Sequence, residues 1–144
     1  MNRYFVLLCS TVLIATTVFP ISPKKDKTPQ AVEESFKKKF PEAQKVKCEK
    51  ENKEYEASFV INGVKTSANF TVSGEWKETE STVSASDLPK IVSDGILSAY
   101  PGAKIVDAAK IETPEKGIQY EADIKSGKKK MEVLFDAEGK EIKK

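Results

Sequence analysis

Apolar side chains recur at every fourth residue in two short stretches of the chain. The two trios are Val32, Phe36 and Phe40, and Val92, Ile96 and Tyr100. Residues four apart lie along one stripe of a helix, so each trio predicts a short amphipathic helix with one apolar face. Pro29 and Pro89 are expected in the first helical turns, and Pro41 and Pro101 are expected to end the helices.

Each predicted helix is followed by a stretch in which apolar and polar residues alternate. The apolar positions are Tyr55, Ala57, Phe59 and Ile61 in the first stretch, and Tyr120, Ala122 and Ile124 in the second. This period of two predicts half-buried β-strands. The pairs Asn62-Gly63 and Ser126-Gly127 have the composition of hairpin turns, so further antiparallel strands are expected after each of them.

The two halves of the chain form an internal repeat. Residues 29–46 match residues 89–106 without a gap, and the Tyr-Glu-Ala sequence at residues 55–57 returns at residues 120–122. The second copy is five residues longer between these matches, and Pro and Gly within residues 111–117 predict a longer turn there. The predicted unit is one helix followed by three or four antiparallel strands.

The two units occupy residues 28–82 and 88–144, and neither is large enough to bury a sufficient core alone. We therefore expect them to join edge to edge in a single domain over residues 28–144. The predicted fold class is α+β, a tandem repeat with one continuous antiparallel sheet and both helices on one face. The opposite face would be polar, with Glu54, Glu56, Ser58, Lys65, Ser67, Asn69, Thr71, Glu121, Asp123, Lys125, Lys130 and Glu132.

The N-terminal residues have the composition of a secretory signal peptide. Residues 5–21 carry no charged side chain, and Arg3 precedes them. Residues 1–22 are therefore predicted as a signal peptide and residues 23–27 as a polar linker. The mature protein is expected to be periplasmic or secreted, without a membrane span. A retained anchor is the alternative, because an apolar run of about 17 residues is at the lower limit for crossing a bilayer.

The composition excludes several classes of function. The chain has 144 residues, 24 basic and 22 acidic side chains, and no histidine. Without an imidazole it cannot form a Ser-His-Asp or Cys-His catalytic group or a His-ligated metal site, and its nearly balanced charge argues against nucleic acid as a partner. We expect no catalytic residue, metal or cofactor. The carboxylates between residues 49 and 80 leave an acid–base enzyme as a further hypothesis.

Cys48 is the one thiol outside the predicted signal peptide. A single cysteine cannot form an internal disulfide, so packing is expected to stabilise the exported chain. Cys48 has the same strand parity as Val46, which predicts a buried and inert side chain. A reactive or intermolecular cysteine is the alternative. We expect a monomer.

The repeat resembles a known protein family. The helix pattern that ends in Phe-Pro-x-Ala or Tyr-Pro-x-Ala, the Tyr-Glu-Ala strand, and Phe70 followed by Gly74 and Trp76 are similar to PepSY-like proteins. These are small exported bacterial proteins, common in Bacteroidetes, that are also described as beta-lactamase-inhibitor-like. The resemblance covers residues 28–142 and implies a curved sheet and export behind a signal peptide. Such relatives often carry a tryptophan where this chain has Cys48.

Three apolar residues are candidate contact sites. Trp76 is the single tryptophan, and with Val60 and Leu134 it is predicted to form a small apolar patch on the polar face. The alternatives are that Trp76 covers the core and that Val60 and Leu134 are isolated exposed residues. The favoured function is an exported non-enzymatic module that binds another protein, such as an envelope or secreted hydrolase. A structural or stress-related envelope protein without a specific partner is the alternative.

Overall fold

The computed structural model describes residues 27–143. The predicted signal peptide and most of the predicted linker lie outside the described residues. Within them the chain forms two helices and seven strands, in the order α1 (Gln30–Lys39), β1 (Gln44–Glu51), β2 (Glu54–Ile61), β3 (Val64–Thr71), β4 (Trp76–Val83), α2 (Lys90–Ala99), β5 (Lys104–Thr113), β6 (Gly117–Ser126) and β7 (Lys129–Asp136).

The seven strands form one open antiparallel sheet, and their order in the sheet is their order in the sequence. Strand β4 pairs with β5 across the α2 connection, from Thr79 opposite Glu112 to Val83 opposite Ala108. The predicted α+β class is confirmed, and so is the antiparallel sheet. Within residues 27–143 neither helix is long and apolar enough to cross a bilayer.

Both helices are ten residues long, and Pro29 and Pro89 lie directly before them rather than in the first turn. The carbonyl oxygen of Pro29 accepts hydrogen bonds from the amides of Val32 at 3.0 Å and Glu33 at 3.1 Å. The bond from Glu33 is the first regular bond of the helix, and the bond from Val32 satisfies one of the amides that would otherwise be free at the start of α1. Pro41 follows shortly after the end of α1, as predicted.

The apolar stripe of α1 packs against the first strands in what we call the N-terminal cluster. The ring of Phe36 lies edge-on to that of Phe59, with 5.0 Å between the ring centroids, a geometry that stabilises aromatic pairs. Phe40 is partly buried against the same cluster. The buried members are Val32, Phe36, Tyr55, Ala57, Phe59, Ala68 and Phe70.

The apolar stripe of α2 packs in the same way against β5, β6 and β7, in the C-terminal cluster. Val92 and Ile96 are fully buried there, and Tyr100 is partly buried. The hydroxyl of Tyr100 donates a hydrogen bond to the carboxylate of Glu141 and so ties the C-terminal segment to the end of α2. The buried members are Leu88, Val92, Ile96, Ala108, Tyr120, Ala122, Ile124, Val133 and Phe135.

The hairpin turns lie where the sequence places them. Asn62 and Gly63 both have positive φ, at 51° and 79°, as a tight turn between β2 and β3 requires. The five extra residues of the second half do not form one long turn. Strands β5 and β6 have ten residues each where β1 and β2 have eight, and the turn between them is one residue longer.

Candidate functional site

One side of the sheet carries polar residues across all seven strands, and we call it the polar side. Residues directly opposite each other on neighbouring strands point to the same side of a sheet. A continuous row of such partners crosses this sheet: Lys47, Ser58, Ser67, Glu80, Ile111, Gln119 and Asp136. These side chains alternate along their strands with those of the two apolar clusters.

The polar side is recessed in two adjoining depressions. The first has a volume of about 440 Å³ and lies over β1 to β4. The second has a volume of about 350 Å³ and lies over β3 to β6. Lys65, Glu80 and Thr82 line both of them, so the depressions form one continuous recess.

The two depressions differ in charge. Beyond the shared Lys65 and Glu80, the first is lined by Lys45 and Lys47. The second is lined by three acidic side chains, Asp107, Glu121 and Asp123. The recess is therefore basic over β1 to β3 and acidic over β4 to β6, and the sign changes near its centre.

Lys45 holds an unusual backbone conformation at the edge of the first depression. Its φ is +54°, a left-handed value that costs a non-glycine residue about 1–3 kcal/mol. The register of β1 against β2 shifts between Gln44 and Lys47, so Lys45 lies in a β-bulge. Bulges of this kind redirect a side chain and are frequent near functional sites. Lys47 is two residues further along β1, and its ammonium is 2.8 Å from the carboxylate of Glu49.

A cluster of carboxylates lies beside the recess on the polar side. Glu78 pairs across the strands with Asn69. Partial burial raises the pKa of the Glu78 carboxyl above its ordinary value, and the charges of Glu80 and Glu54 raise it further, while Lys116 opposes them. This end of the polar side therefore concentrates negative charge that the fold does not fully neutralise.

The amino-acid sequence matches the profile of one known protein family. The profile of the family described as "Putative beta-lactamase-inhibitor-like, PepSY-like" matches residues 19–60 and 53–143. The chain belongs to this family. It is the same family that the internal repeat of the sequence resembles. No curated protein matches the chain.

Several solved structures share the fold of this PepSY-like chain. A BLIP-like protein from Bacteroides fragilis is 24% identical, with a TM-score of 0.75, over 81% of this chain and 84% of that one. A DUF2874 family protein from Bacteroides ovatus is 24% identical, with a TM-score of 0.75, over 82% and 86%. A protein of Bacteroides eggerthii described among "putative periplasmic proteins" is 21% identical, with a TM-score of 0.73, over 81% and 87%.

The three predicted contact residues do not lie together. Val60 lines the first depression. Leu134 is also on the polar side, opposite Glu121, but β7 is five strand spacings from β2, which is about 24 Å. Trp76 pairs with the fully buried Phe70 and so points to the side of the apolar clusters. The expected single patch is therefore not formed.

A β-bulge explains the position of Trp76. Asn69 pairs with Glu78, but the next residue, Phe70, pairs with Trp76, so β4 has one extra residue at this point. The extra residue reverses the side of the sheet on which Trp76 emerges. The ring packs against the N-terminal cluster. Its indole N–H donates to the hydroxyl of Thr79 at 2.9 Å, and the ammonium of Lys39 lies 3.5 Å from the ring centroid.

Cys48 lies on the other side of β1, at a smaller hollow of about 250 Å³ between α1 and β1. Its side chain is half-buried, packed against the N-terminal cluster. Val46 is 48% exposed, so the burial expected from its shared parity with Cys48 is wrong for Val46. Val46 and Cys48 both line this hollow, so they do emerge on the same side of β1, but the hollow leaves Val46 uncovered. In the described part of the chain, no three His, Cys, Asp or Glu side chains are placed to hold a metal ion.

Sequence reasoning missed the recess itself. Lys45 and Asp107 were not among the residues predicted for the polar face, yet both line the recess. Alternation gives the side on which a residue emerges but not which strands become neighbours. The pairing of β4 with β5 brings the two halves together, and the sequence signals it only through the general expectation that the units join.

Proposed function

We propose that this PepSY-like protein is an exported, non-enzymatic binding module that holds another protein in the recess of its polar side. An envelope or secreted hydrolase is the proposed target. The observation that carries the proposal is the continuous recess over β1 to β6, lined by charged side chains of both signs. The beta-lactamase-inhibitor-like description of the family supports an inhibitor-like role.

The proposed architecture is a tandem of two units, residues 28–82 and 88–144, in one domain with both helices on the side opposite the recess. The row of cross-strand partners from Lys47 to Asp136 supports this arrangement. The residues that alternate with that row pack against α1 in the first half and against α2 in the second. The polar side is then free of helices and open to a partner.

We propose a different role for each of the three predicted contact residues. Val60 contacts the partner from within the first depression, and Leu134 contacts it at the far margin of the polar side. Trp76 contributes indirectly, because it fixes β4 against the N-terminal cluster. Glu80, on the same strand, lines both depressions.

Export to the periplasm or the exterior is part of the proposal. The uncharged N-terminal residues 5–21 support it, and so does the periplasmic description of the related fold from Bacteroides eggerthii. A non-enzymatic role is supported by the family description and by the absence of histidine from the whole chain.

Site-specific cross-linking in the producing cells tests the proposal. A photo-reactive amino acid replaces Thr82, which is exposed and lines both depressions. The matched control carries it at Ser98, which is exposed on α2. We expect a discrete cross-linked protein from position 82 and none from position 98. Equal products from both positions, or none from either, would favour a structural envelope protein without a specific partner.

A further inference from the structure

The charge distribution of the recess limits what kind of partner fits it. Lys45, Lys47 and Lys65 line the first depression, and Asp107 and Asp123 line the second. A partner that covers the whole recess removes water from both groups of charges. Such desolvation is unfavourable unless each charge meets an opposite one. Glu49 already meets Lys47 within the protein, so the partner has to complement the other charges above all.

The distance between the two groups is set by the sheet. Lys47 lies on β1 and Asp123 on β6. Five strand spacings separate these strands, which corresponds to about 24 Å. An extended polypeptide covers this distance with about seven or eight residues.

Resting on the function proposed above, we infer that the partner is a protein with a projecting segment that carries two charge blocks, with their outermost charges about 24 Å apart and their centres about 18 Å apart. Its acidic block lies over Lys45, Lys47 and Lys65, and its basic block lies over Asp107 and Asp123. The segment crosses the strands rather than running along them.

Other occupants fit the recess less well. A polyanion such as polyphosphate complements the lysines but is repelled by the carboxylates of Asp107 and Asp123. A second copy of this chain presents opposite charges when turned around, but two recessed surfaces that face each other enclose a hollow instead of packing. A projecting segment of another protein fills the recess and matches both signs.

Designed peptides test this inference on the purified protein by NMR. The block peptide has four Glu, a Gly-Ser spacer and four Lys, so the block centres are about 20 Å apart when the peptide is extended. The alternating peptide has the same composition with Glu and Lys interleaved. We expect the block peptide to shift backbone signals of residues in both depressions. At low salt it should bind about tenfold more tightly than the alternating peptide.

A pair of charge reversals assigns the binding to the recess. Lys65→Glu changes the charge within the recess, and Lys38→Glu makes the same change on the exposed surface of α1. We expect Lys65→Glu to weaken block-peptide binding and Lys38→Glu to leave it unchanged. Equal affinity for the two peptides, or equal effects of the two variants, would overturn the inference.

The remaining outcomes separate this inference from the proposed function. If polyphosphate binds more tightly than the block peptide and shifts only the lysine-lined depression, the recess serves a polyanion and the two-block partner is wrong. If position 82 cross-links a protein but the block peptide shows no preference, the binding function survives and the charge-block inference falls. If neither experiment gives a signal on the polar side, both are wrong.

Discussion

Gly74 lies directly against the backbone carbonyl of Ala31, so the turn after β3 closes onto the first turn of α1. The second half of the chain has the same contact, between Gly139 after β7 and the carbonyl of Ile91 in α2. The carbonyl of Gly139 in turn faces Gly95, where a side chain would collide with it. A glycine inside α2 costs helix stability, and this close approach explains why one is present.

Replacement of Gly74 by alanine is expected to destabilise the protein for two reasons. The residue has a φ of +84°, which costs an alanine about 1–2 kcal/mol. A Cβ at this position would also lie 2.8 Å from the carbonyl carbon of Ala31, and such overpacking adds about 1–3 kcal/mol. Urea unfolding of Gly74→Ala should therefore show a loss of about 2–5 kcal/mol.

Gly63→Ala is the matched control for this prediction. Gly63 has a φ of +79°, and a Cβ there would meet no atom within 4 Å. It should lose only the backbone contribution of about 1–2 kcal/mol. If both variants lose the same stability, the contact between the turn and α1 contributes nothing and its role in the fold is refuted.

Trp76→Ala is expected to destabilise the protein by about 2 kcal/mol or more, because the ring fills part of the N-terminal cluster. Lys39→Ala removes the ammonium above the ring and should cost no more than about 1 kcal/mol. Thermal and chemical unfolding of both variants measure these values. A Trp76→Ala variant with wild-type stability would point to a surface role for Trp76 in place of a packing role.

The backbone of Lys45 gives a test that does not depend on its side chain. Lys45→Gly and Lys45→Ala both remove the ammonium from the recess, but only glycine adopts a φ of +54° without strain. Lys45→Gly is therefore expected to be more stable than Lys45→Ala by about 1 kcal/mol. A more stable alanine variant would show that the left-handed conformation is absent in solution.

Glu78 should make the stability of the protein depend on pH in a specific direction. Burial, then the charges of Glu80 and Glu54, raise its folded-state pKa above the ordinary value of 4.5. The folded protein therefore binds more protons than the unfolded chain between these two pKa values. The contribution of Glu78 to the free energy of unfolding falls as pH rises through that interval, and above it the ionised carboxylate is destabilising.

Glu78→Gln removes this effect. The variant is expected to be more stable than the wild type at neutral pH, and the difference should shrink as the pH falls below 4.5. Urea unfolding across this pH range measures it. Glu42→Gln, at an exposed position after α1, is the control. A stability difference for Glu78→Gln that stays constant with pH would contradict the prediction.

The sequence was sufficient for the elements of this fold because their signals are local. The helical spacing of Val32 and Phe36 and the alternation around Ala57 depend only on residues a few positions apart, and these side chains are buried as expected. The position of Trp76 could not be predicted in the same way. It depends on a bulge in β4, and one inserted residue moves a side chain to the other side of the sheet.

The candidate site was predictable only in part. The polar residues of β2, β3 and β6 follow from alternation, and alternation also places Val60 among them. The recess also needs Lys45, which emerges from a bulge, and Asp107, which follows a register shift in β5. Its change of sign arises from the pairing of distant strands, and no local pattern encodes that pairing.

Lysine labelling in the producing cells tests most directly whether the recess is a docking surface. An amine-reactive reagent is applied to intact cells and to the purified protein, and mass spectrometry gives the extent of labelling at each lysine. Labelling of Lys47 and Lys65 should be lower in cells, while Lys38 and Lys128, which are exposed outside the recess, should label equally in both. Unchanged labelling of Lys47 and Lys65, or protection confined to Lys38 and Lys128, would contradict the account.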